Sequence, residues 1–401
     1  MSRILLAWEL GAGSGHLAAL RPVVAVLLAR GHQVTLAAQN LRTAARVFEG
    51  MDFPVLPAPR THEIYGGLED PPLNFSEILM RYGYIDAPML AALIRAWRVL
   101  IELTAAELLI VDHAPTALLA ARGVPGLRRM TFGNPFAVPP PVSPTPNMRS
   151  WLNVPEKRLR SSDALVLETI NQSLPPSAAR LSHVHELFDD STCIFVGVPE
   201  LDPYGPRAKE LYMGLHVGIS GMAQPQWPDG AGRRVFAYLR ADHPAIEVVL
   251  KALASCDARC LVHIVGDTAG LAERHASSRV VFSEKPVDIQ SAVRHCDLVL
   301  CHSGIGAVNA TLRGGKPMLL LPAQLEQFLL ARNVAATGSA IVLAPEDVAQ
   351  EIRGVLTRLL NEPVFGESAE AFARRYGALP ADQLVLNVVD RIEQCAMEAM
   401  S

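Results

Sequence analysis

At 401 residues the chain is longer than a single hydrophobic core usually extends, so two domains are expected, each with a sizeable core. Hydrophobic residues make up 50% of it and the mean hydropathy is +0.22, but a charge or a proline interrupts every apolar run before roughly eighteen residues, so no transmembrane helix is predicted. The 36 basic and 40 acidic residues leave a net charge of -4 with neither sign gathered into a long block, which argues against a nucleic-acid groove.

The chain opens Met1-Ser2-Arg3 and runs at once into an apolar stretch, without the basic region and small-residue cleavage site of a signal peptide, so a cytoplasmic location is expected. Six cysteines, at 193, 256, 260, 296, 301 and 395, are scattered. Cys256 and Cys260 lack a second ligand pair at zinc spacing, and the six read as reduced, buried thiols.

Residues 3–8 read as a strand, followed by the turn Gly11-Ala12-Gly13-Ser14-Gly15-His16 and by Leu17, Leu20, Val24, Leu27 and Leu28 at helical spacing up to Arg30-Gly31. A second strand starts at 33, and the alternation of strands with helices predicts parallel βαβ units. The turn lacks the third glycine of the dinucleotide fingerprint, and the second strand ends Ala37-Ala38-Gln39-Asn40 without an acid for a ribose, which disfavours NAD. His16 stands at the top of the first helix, where glycines let a ligand approach; a helix cap is the plainer reading. His32 reads as a turn residue only.

Prolines and glycines dominate 56–72, and 75–106 reads as helices broken near Gly83 and Pro88. Tyr82, Tyr84 and Trp97 there are either pocket lining or plain core. A buried strand, 108–111, ends at Asp112, a carboxylate placed to face a ligand or else to cap the short helix at Thr116; His113 is expected to point to the other side of the chain. A strand at 127–132, a proline-rich loop at 135–146 that cannot be sheet interior, helices to Leu187 and a strand at 193–196 follow. His183 and His185 lack the spacing of a zinc motif, so no metal is expected.

Residues 197–232 are dense in proline and glycine and separate two series of strand and helix patterns. The expected organisation is a first domain at 1–205, a linker at 206–232, a second domain at 233–382 and a last helix at 383–401 that packs back on the first domain. The second series has strands at 234–239, 260–265 and 280–282, a helix from Asp242, and Pro286 before the helix leading to Asp297. Arg240, just past the first of these strands, either supplies positive charge to a ligand or is a solvated loop residue.

The apolar run 298–301 breaks into His302-Ser303-Gly304-Ile305-Gly306 and then a helical pattern ending at Arg313. A strand at 318–321 ends at Pro322, a loop carries Glu326 and Gln327, and a helix runs on to Thr337. Two strands thus deliver polar residues to one carboxyl edge of a sheet, and a helix with glycines in its first turn exposes N–H groups to an anion, so the pattern predicts a phosphate site.

This stretch resembles the donor-binding segment of the family 1, UDP-glycosyltransferase-like enzymes, whose bacterial members carry H-G-G-x-G-T, then G-x-P, then P-x-x-x-D-Q. Here stand His302, Gly304 and Gly306, then Gly315 and Pro317, then Pro322 with Glu326 and Gln327. Gly15-His16 and Arg30-Gly31-His32 are similar to that family's first loop and helix end. The resemblance covers most of the chain and is specific in its last half and at Gly15-His16. It implies an α/β GT-B fold, two Rossmann-like domains with parallel sheets facing across a cleft.

The resemblance also implies inverting transfer of a sugar from a nucleoside diphosphate sugar, UDP or dTDP, to a hydroxyl of a small-molecule acceptor, with no cofactor and no obligatory metal. His16 would be the general base, with Asp112 holding its tautomer and stabilising the imidazolium. His302, Ser303, Gly304, Gly306, Ala307 and Arg240 would surround the donor diphosphate, Glu326 and Gln327 the donor sugar, and the backbone at Pro286 and Val287 the base. The expected partners are acceptor and donor alone, without nucleic acid or membrane span, in a monomer or weak dimer. Ser303 for glycine, Ala307 for a phosphate-binding threonine, Leu330 for asparagine and Ala310 for a ribose-binding glutamate depart from the pattern and leave the donor open. The alternatives are a nucleotide-sugar epimerase or hydrolase of the same architecture, and a non-catalytic sugar-nucleotide-binding accessory protein.

Overall fold

The computed structural model describes residues 1–11, 13–61, 64–176, 178–208, 211–216, 223–266 and 270–397, so parts of the proline-rich and glycine-rich segment around 206–232 lie outside the described residues. The chain divides into two compact units, Met1–Met213 with Asp382–Ser401, and Gly214–Ala381.

The first unit runs β1 (Arg3–Trp8), α1 (Gly15–Ala29), β2 (Gln33–Ala38), α2 (Leu41–Val47), β3 (Val55–Pro57), α3 (Phe75–Arg81), α4 (Ala87–Leu103), β4 (Leu108–Asp112), α5 (Pro115–Ala121), β5 (Arg128–Gly133), α6 (Glu156–Ser173), β6 (Ser191–Phe195) and β7 (Leu211–Tyr212). Its sheet has the order β3-β2-β1-β4-β5-β6-β7, every pair parallel. The short β7 lies within the proline- and glycine-dense segment, where composition hides a strand. β4 is buried along its whole length, and β1 from its second residue on, as parallel strands covered on both faces must be. The order reverses between β2-β1 and β4, so the carboxyl ends of β1 and β4 form a topological switch point, the place where such sheets bind ligands.

The second unit runs β8 (Arg234–Arg240), α7 (Ile246–Ser255), β9 (Arg259–Val265), α8 (Leu271–His275), β10 (Val280–Phe282), α9 (Ile289–His295), β11 (Leu298–Cys301), α10 (Ile305–Arg313), β12 (Met318–Leu320), α11 (Leu325–Ala336), β13 (Ala340–Val342), α12 (Val348–Asn361) and α13 (Pro363–Tyr376). Its parallel sheet has the order β10-β9-β8-β11-β12-β13, which puts a second switch point at the carboxyl ends of β8 and β11. Both units are therefore Rossmann-like. No helix among the described residues is long and apolar enough to cross a membrane.

The final helix, α14 (Ala381–Met397), belongs almost entirely to the first unit. Arg30 donates to Asp390 at 2.7 Å and to Glu393 at 2.6 Å, and His32 Nε2 lies 2.9 Å from Glu393. His32 is thus more than a turn residue: it is 9% exposed, and its Nδ1 meets the backbone N–H of Ser2 at 3.3 Å. The helices of 75–106 break between 81 and 87, near Gly83 and Pro88 as expected, and Pro88 stands at the start of the second of them. It sits in the first turn of α4, where a missing N–H costs nothing, and Asp86 caps that turn by accepting from Met89 N–H. Tyr84 and Trp97 are both fully buried in the core beneath the first sheet.

The proline-rich loop is held by one buried carboxylate. Asp163 on α6 accepts from the backbone N–H of Thr145 at 2.7 Å, the Thr145 hydroxyl at 2.5 Å and the Ser76 hydroxyl at 2.7 Å. These three donors, with the Asn74 NH2 group at 3.3 Å, offset the cost of burying the charge. Replacing Asp163 with Asn presents an NH2 group to one of those donors. The expected outcome is a loss of roughly 1–3 kcal/mol, read as a lower thermal midpoint of the Asp163→Asn protein.

Candidate active site

The parallel register of β1 and β4 places Trp8 beside Asp112, and α1 begins a few residues after Trp8. His16, in the first turn of α1, is thereby brought to Asp112 at the end of β4: His16 Nδ1 and Asp112 Oδ1 are 2.8 Å apart, with side-chain exposures of 9% and 2%. A carboxylate can only accept, so Nδ1 carries the hydrogen and the imidazole lone pair sits on Nε2. The Trp8 ring stacks on the imidazole at 5.9 Å between centroids.

Two glycines make room for this pair. A Cβ on Gly11, whose φ is +91°, would lie 2.4 Å from His16 Nε2, and one on Gly133, with φ +131°, would lie 2.7 Å from Asp112 Oδ1. Neither His16 nor Asp112 serves as a helix cap: α1 is capped by Ser14 without a side-chain bond, and α5 by Ala114. The group that meets Thr116 N–H is instead Glu9 Oε2, at 2.9 Å.

Glu9 and His113 are the residues of this region that sequence reasoning missed. Glu9 is 2% exposed, and burial pushes its carboxyl up to about 8 against the opposing hydrogen bonds of Thr116 and Ala117. The Tyr84 hydroxyl, 3.0 Å from Thr116 Oγ1, is likewise pushed well up by burial. The available signal was a lone acid set between the buried Trp8 and Leu10. His113 was expected to point away, but its φ of +50° swings it back, and its ring lies 6.3 Å from that of His16. Burial, and then the neighbouring His16, push His113 down to about 3, so it is neutral; both of its ring nitrogens are without a hydrogen-bond partner among the described residues.

In the second unit, the neighbouring ends of β8 and β11 bring Arg240 and His302 to one edge. Tyr238 stacks between His302, at 5.8 Å, and His263, at 5.7 Å. Burial first, then the Arg240 charge, push His302 down to about 4, so it offers hydrogen bonds and no positive charge at neutral pH. The cation beside it is Arg240, bound to Asp242 through Nε at 2.8 Å and Nη2 at 2.5 Å. Arg240 is therefore neither bare charge nor a free loop residue. Ser303 adopts φ +61°, which explains why glycine suits that position, and its buried hydroxyl has no partner among the described residues. Gly304 caps α10, and Gly306 and Ala307 occupy its first turn.

Glu326 and Gln327 lie in the first turn of α11 beyond β12, on the same edge of the sheet, and Gln327 Oε1 accepts from Ala323 N–H at 3.0 Å. Val287 forms a parallel bridge with Ala223: Pro286 C=O accepts from Ala223 N–H at 3.1 Å, Asp288 N–H donates to Ala223 C=O at 2.9 Å, and Val287 is 2% exposed.

Residues 246–376 match the family model described as the glycosyltransferase family 28 C-terminal domain. The chain is 36% identical over 86 residues to the elloramycin glycosyltransferase ElmGT of Streptomyces olivaceus, a match covering 21% of each chain. Its matches span less than half the length of the first curated relatives, between 21% and 45%. Among solved structures it is similar to the spinosyn forosaminyltransferase SpnP, with a TM-score of 0.66, 18% identity and 99% of both chains covered. It is also similar to the glycosyltransferase VinC in complex with DTDP, with a TM-score of 0.65 at 19% identity over 96% of this chain and 100% of that one. Those two likenesses identify the fold as GT-B.

An acid whose folded pKa is raised contributes stability that is complete below its unfolded value and is lost as the pH rises toward the folded one. For Glu9 that window runs from 4.5 to about 8. Glu9→Gln removes the titration, so its melting temperature relative to the parent should climb across this window and level off above it. Parallel melting curves of the two proteins against pH would show that Glu9 is already ionised in the fold.

Proposed function

We propose that this chain, a UDP-glycosyltransferase-like protein of the GT-B fold, is an inverting glycosyltransferase that moves a sugar from a nucleoside diphosphate sugar to a hydroxyl of a small-molecule acceptor. The observation that carries this reading is the buried pair of His16 and Asp112 at the switch point of the first sheet. Asp112 fixes the tautomer, Nε2 takes the acceptor's proton, and the imidazolium so formed is stabilised by the carboxylate 2.8 Å from Nδ1. The freed oxygen attacks the anomeric carbon as the diphosphate leaves, which inverts that centre.

The second unit supplies the groups that hold the donor. The first-turn N–H groups of α10, after Gly304, suit a diphosphate. His302, neutral there, donates a hydrogen bond rather than a charge. Arg240 contributes its charge when phosphate oxygens replace or join the Asp242 carboxylate. The Gln327 amide and Glu326 are assigned to sugar hydroxyls, and the backbone at Pro286 and Val287 to the base. The relative solved with DTDP supports a thymidine nucleotide, with uridine as the other arm of the test. The reading invokes no metal and places the protein in the cytoplasm as a monomer or weak dimer.

The experiment pairs two variants. With a donor sugar and an acceptor that the parent glycosylates, His16→Ala should lower the transfer rate by roughly 10²–10⁴-fold and leave the affinity for dTDP or UDP unchanged in calorimetry. His302→Ala should weaken nucleotide binding. Transfer at the parent rate by folded His16→Ala would remove the base assignment, and nucleotide release from the donor without any acceptor would favour the hydrolase.

A further inference from the structure

We propose that Cys256 and Cys260 form a thiol–disulfide exchange site, fed by the arginine-lined cavity beside them and taking a low-molecular-weight disulfide that carries carboxylates. The site lies within the second unit and does not depend on the glycosyl-transfer reading. Cys256 caps the carboxyl end of α7, and Cys260 is the second residue of β9, so both stand at the amino edge of the sheet, opposite the edge that carries Arg240 and His302.

The two sulfurs are 3.7 Å apart, and both thiols reach the Leu253 carbonyl, at 3.1 Å from Cys256 and 3.7 Å from Cys260. A disulfide bond is about 2.05 Å long, so the pair closes by rotation of the Cys256 side chain. That side chain has room to move: Cys256 is half-buried and lines a cavity of about 760 Å³, whereas Cys260 is fully buried behind it. The cavity wall carries Arg233, Arg259, Arg279 and Arg353 with Asp229 and Asp257; Arg279 pairs with Asp257 at 2.9 Å and Arg233 with Asp297 at 3.1 Å, so one positive charge remains in excess for an anionic ligand.

The two thiols are unequal in a way that assigns their roles. The hydrogen bond from Cys260 lowers the Cys256 pKa, and the same contact together with burial raises that of Cys260. Cys256 as thiolate attacks one sulfur of the disulfide R–S–S–R, forming the mixed disulfide Cys256–S–S–R and expelling R–S⁻. Cys260 then loses its proton and attacks the Cys256 sulfur, expelling the second R–S⁻. In sum the two protein thiols are oxidised to one disulfide and R–S–S–R is reduced to two R–SH, the two protons passing to the leaving thiolates. The product bond ties the last turn of α7 to the start of β9.

Oxidised glutathione is the charged probe and hydroxyethyl disulfide the neutral one. After incubation, denaturation and alkylation, mass spectrometry of the parent treated with oxidised glutathione should show the peptide containing residues 256 and 260 lighter by two hydrogens and unalkylated, with Cys193, Cys296, Cys301 and Cys395 alkylated. Cys260→Ser should instead accumulate a glutathionyl group on Cys256. Arg353→Ala, an exposed change, should slow the reaction with oxidised glutathione roughly two- to fivefold and leave that with hydroxyethyl disulfide unchanged. Full alkylation of both cysteines after treatment, or a disulfide formed with one of the other four, overturns the site. Equal slowing of the two probes by Arg353→Ala overturns the role given to the cavity.

Discussion

The hydrogen bond between His16 and Asp112 exists because β1 and β4 run parallel and in register, so that the end of one strand and the helix leaving the other meet at a single point. That alignment forces everything around it. The imidazole lies under Trp8, and the backbone passes so close on both sides that Gly11 and Gly133 admit no side chain. Glu9 accepts from Thr116 N–H at the start of α5, while Asp112 meets the histidine. A one-residue slip of β4 would move the carboxylate to the opposite face of the sheet and disassemble the arrangement.

The second unit handles charge differently. Its histidine is held neutral by burial and by a nearby guanidinium, and that guanidinium is itself tied to Asp242. Beside His302 the edge therefore offers oriented N–H groups and a cation shared with a carboxylate. Ser303 keeps the left-handed turn that glycine occupies more easily, at a cost of roughly 1–2 kcal/mol, which shows how strongly the turn geometry is imposed by its surroundings.

Strands such as 3–8 and 298–301 were legible because an unbroken apolar run ended in glycine or a polar turn; their alternation with helices gave two series of parallel βαβ units, and the resemblance implied that the two make a GT-B fold. The positions of His16, Asp112, Arg240 and His302 were legible too, since each sits at a strand's carboxyl end or in the turn that follows. What was hidden depends on pairing across the chain. No local pattern says that Glu9 would meet a helix more than a hundred residues away. The φ of His113 is set by its neighbours rather than by its own residue type, and β7 pairs at the sheet edge with too few residues to show a period.

The return of α14 to the first unit makes that unit discontinuous along the chain, with its last helix anchored by Arg30 and His32. Folding on the ribosome therefore cannot proceed as two beads completed one after the other. The amino-terminal sheet must wait, with one flank lacking its helix, until all of 214–381 has emerged. The middle unit, by contrast, is a continuous stretch of sequence and can complete its own core before synthesis ends.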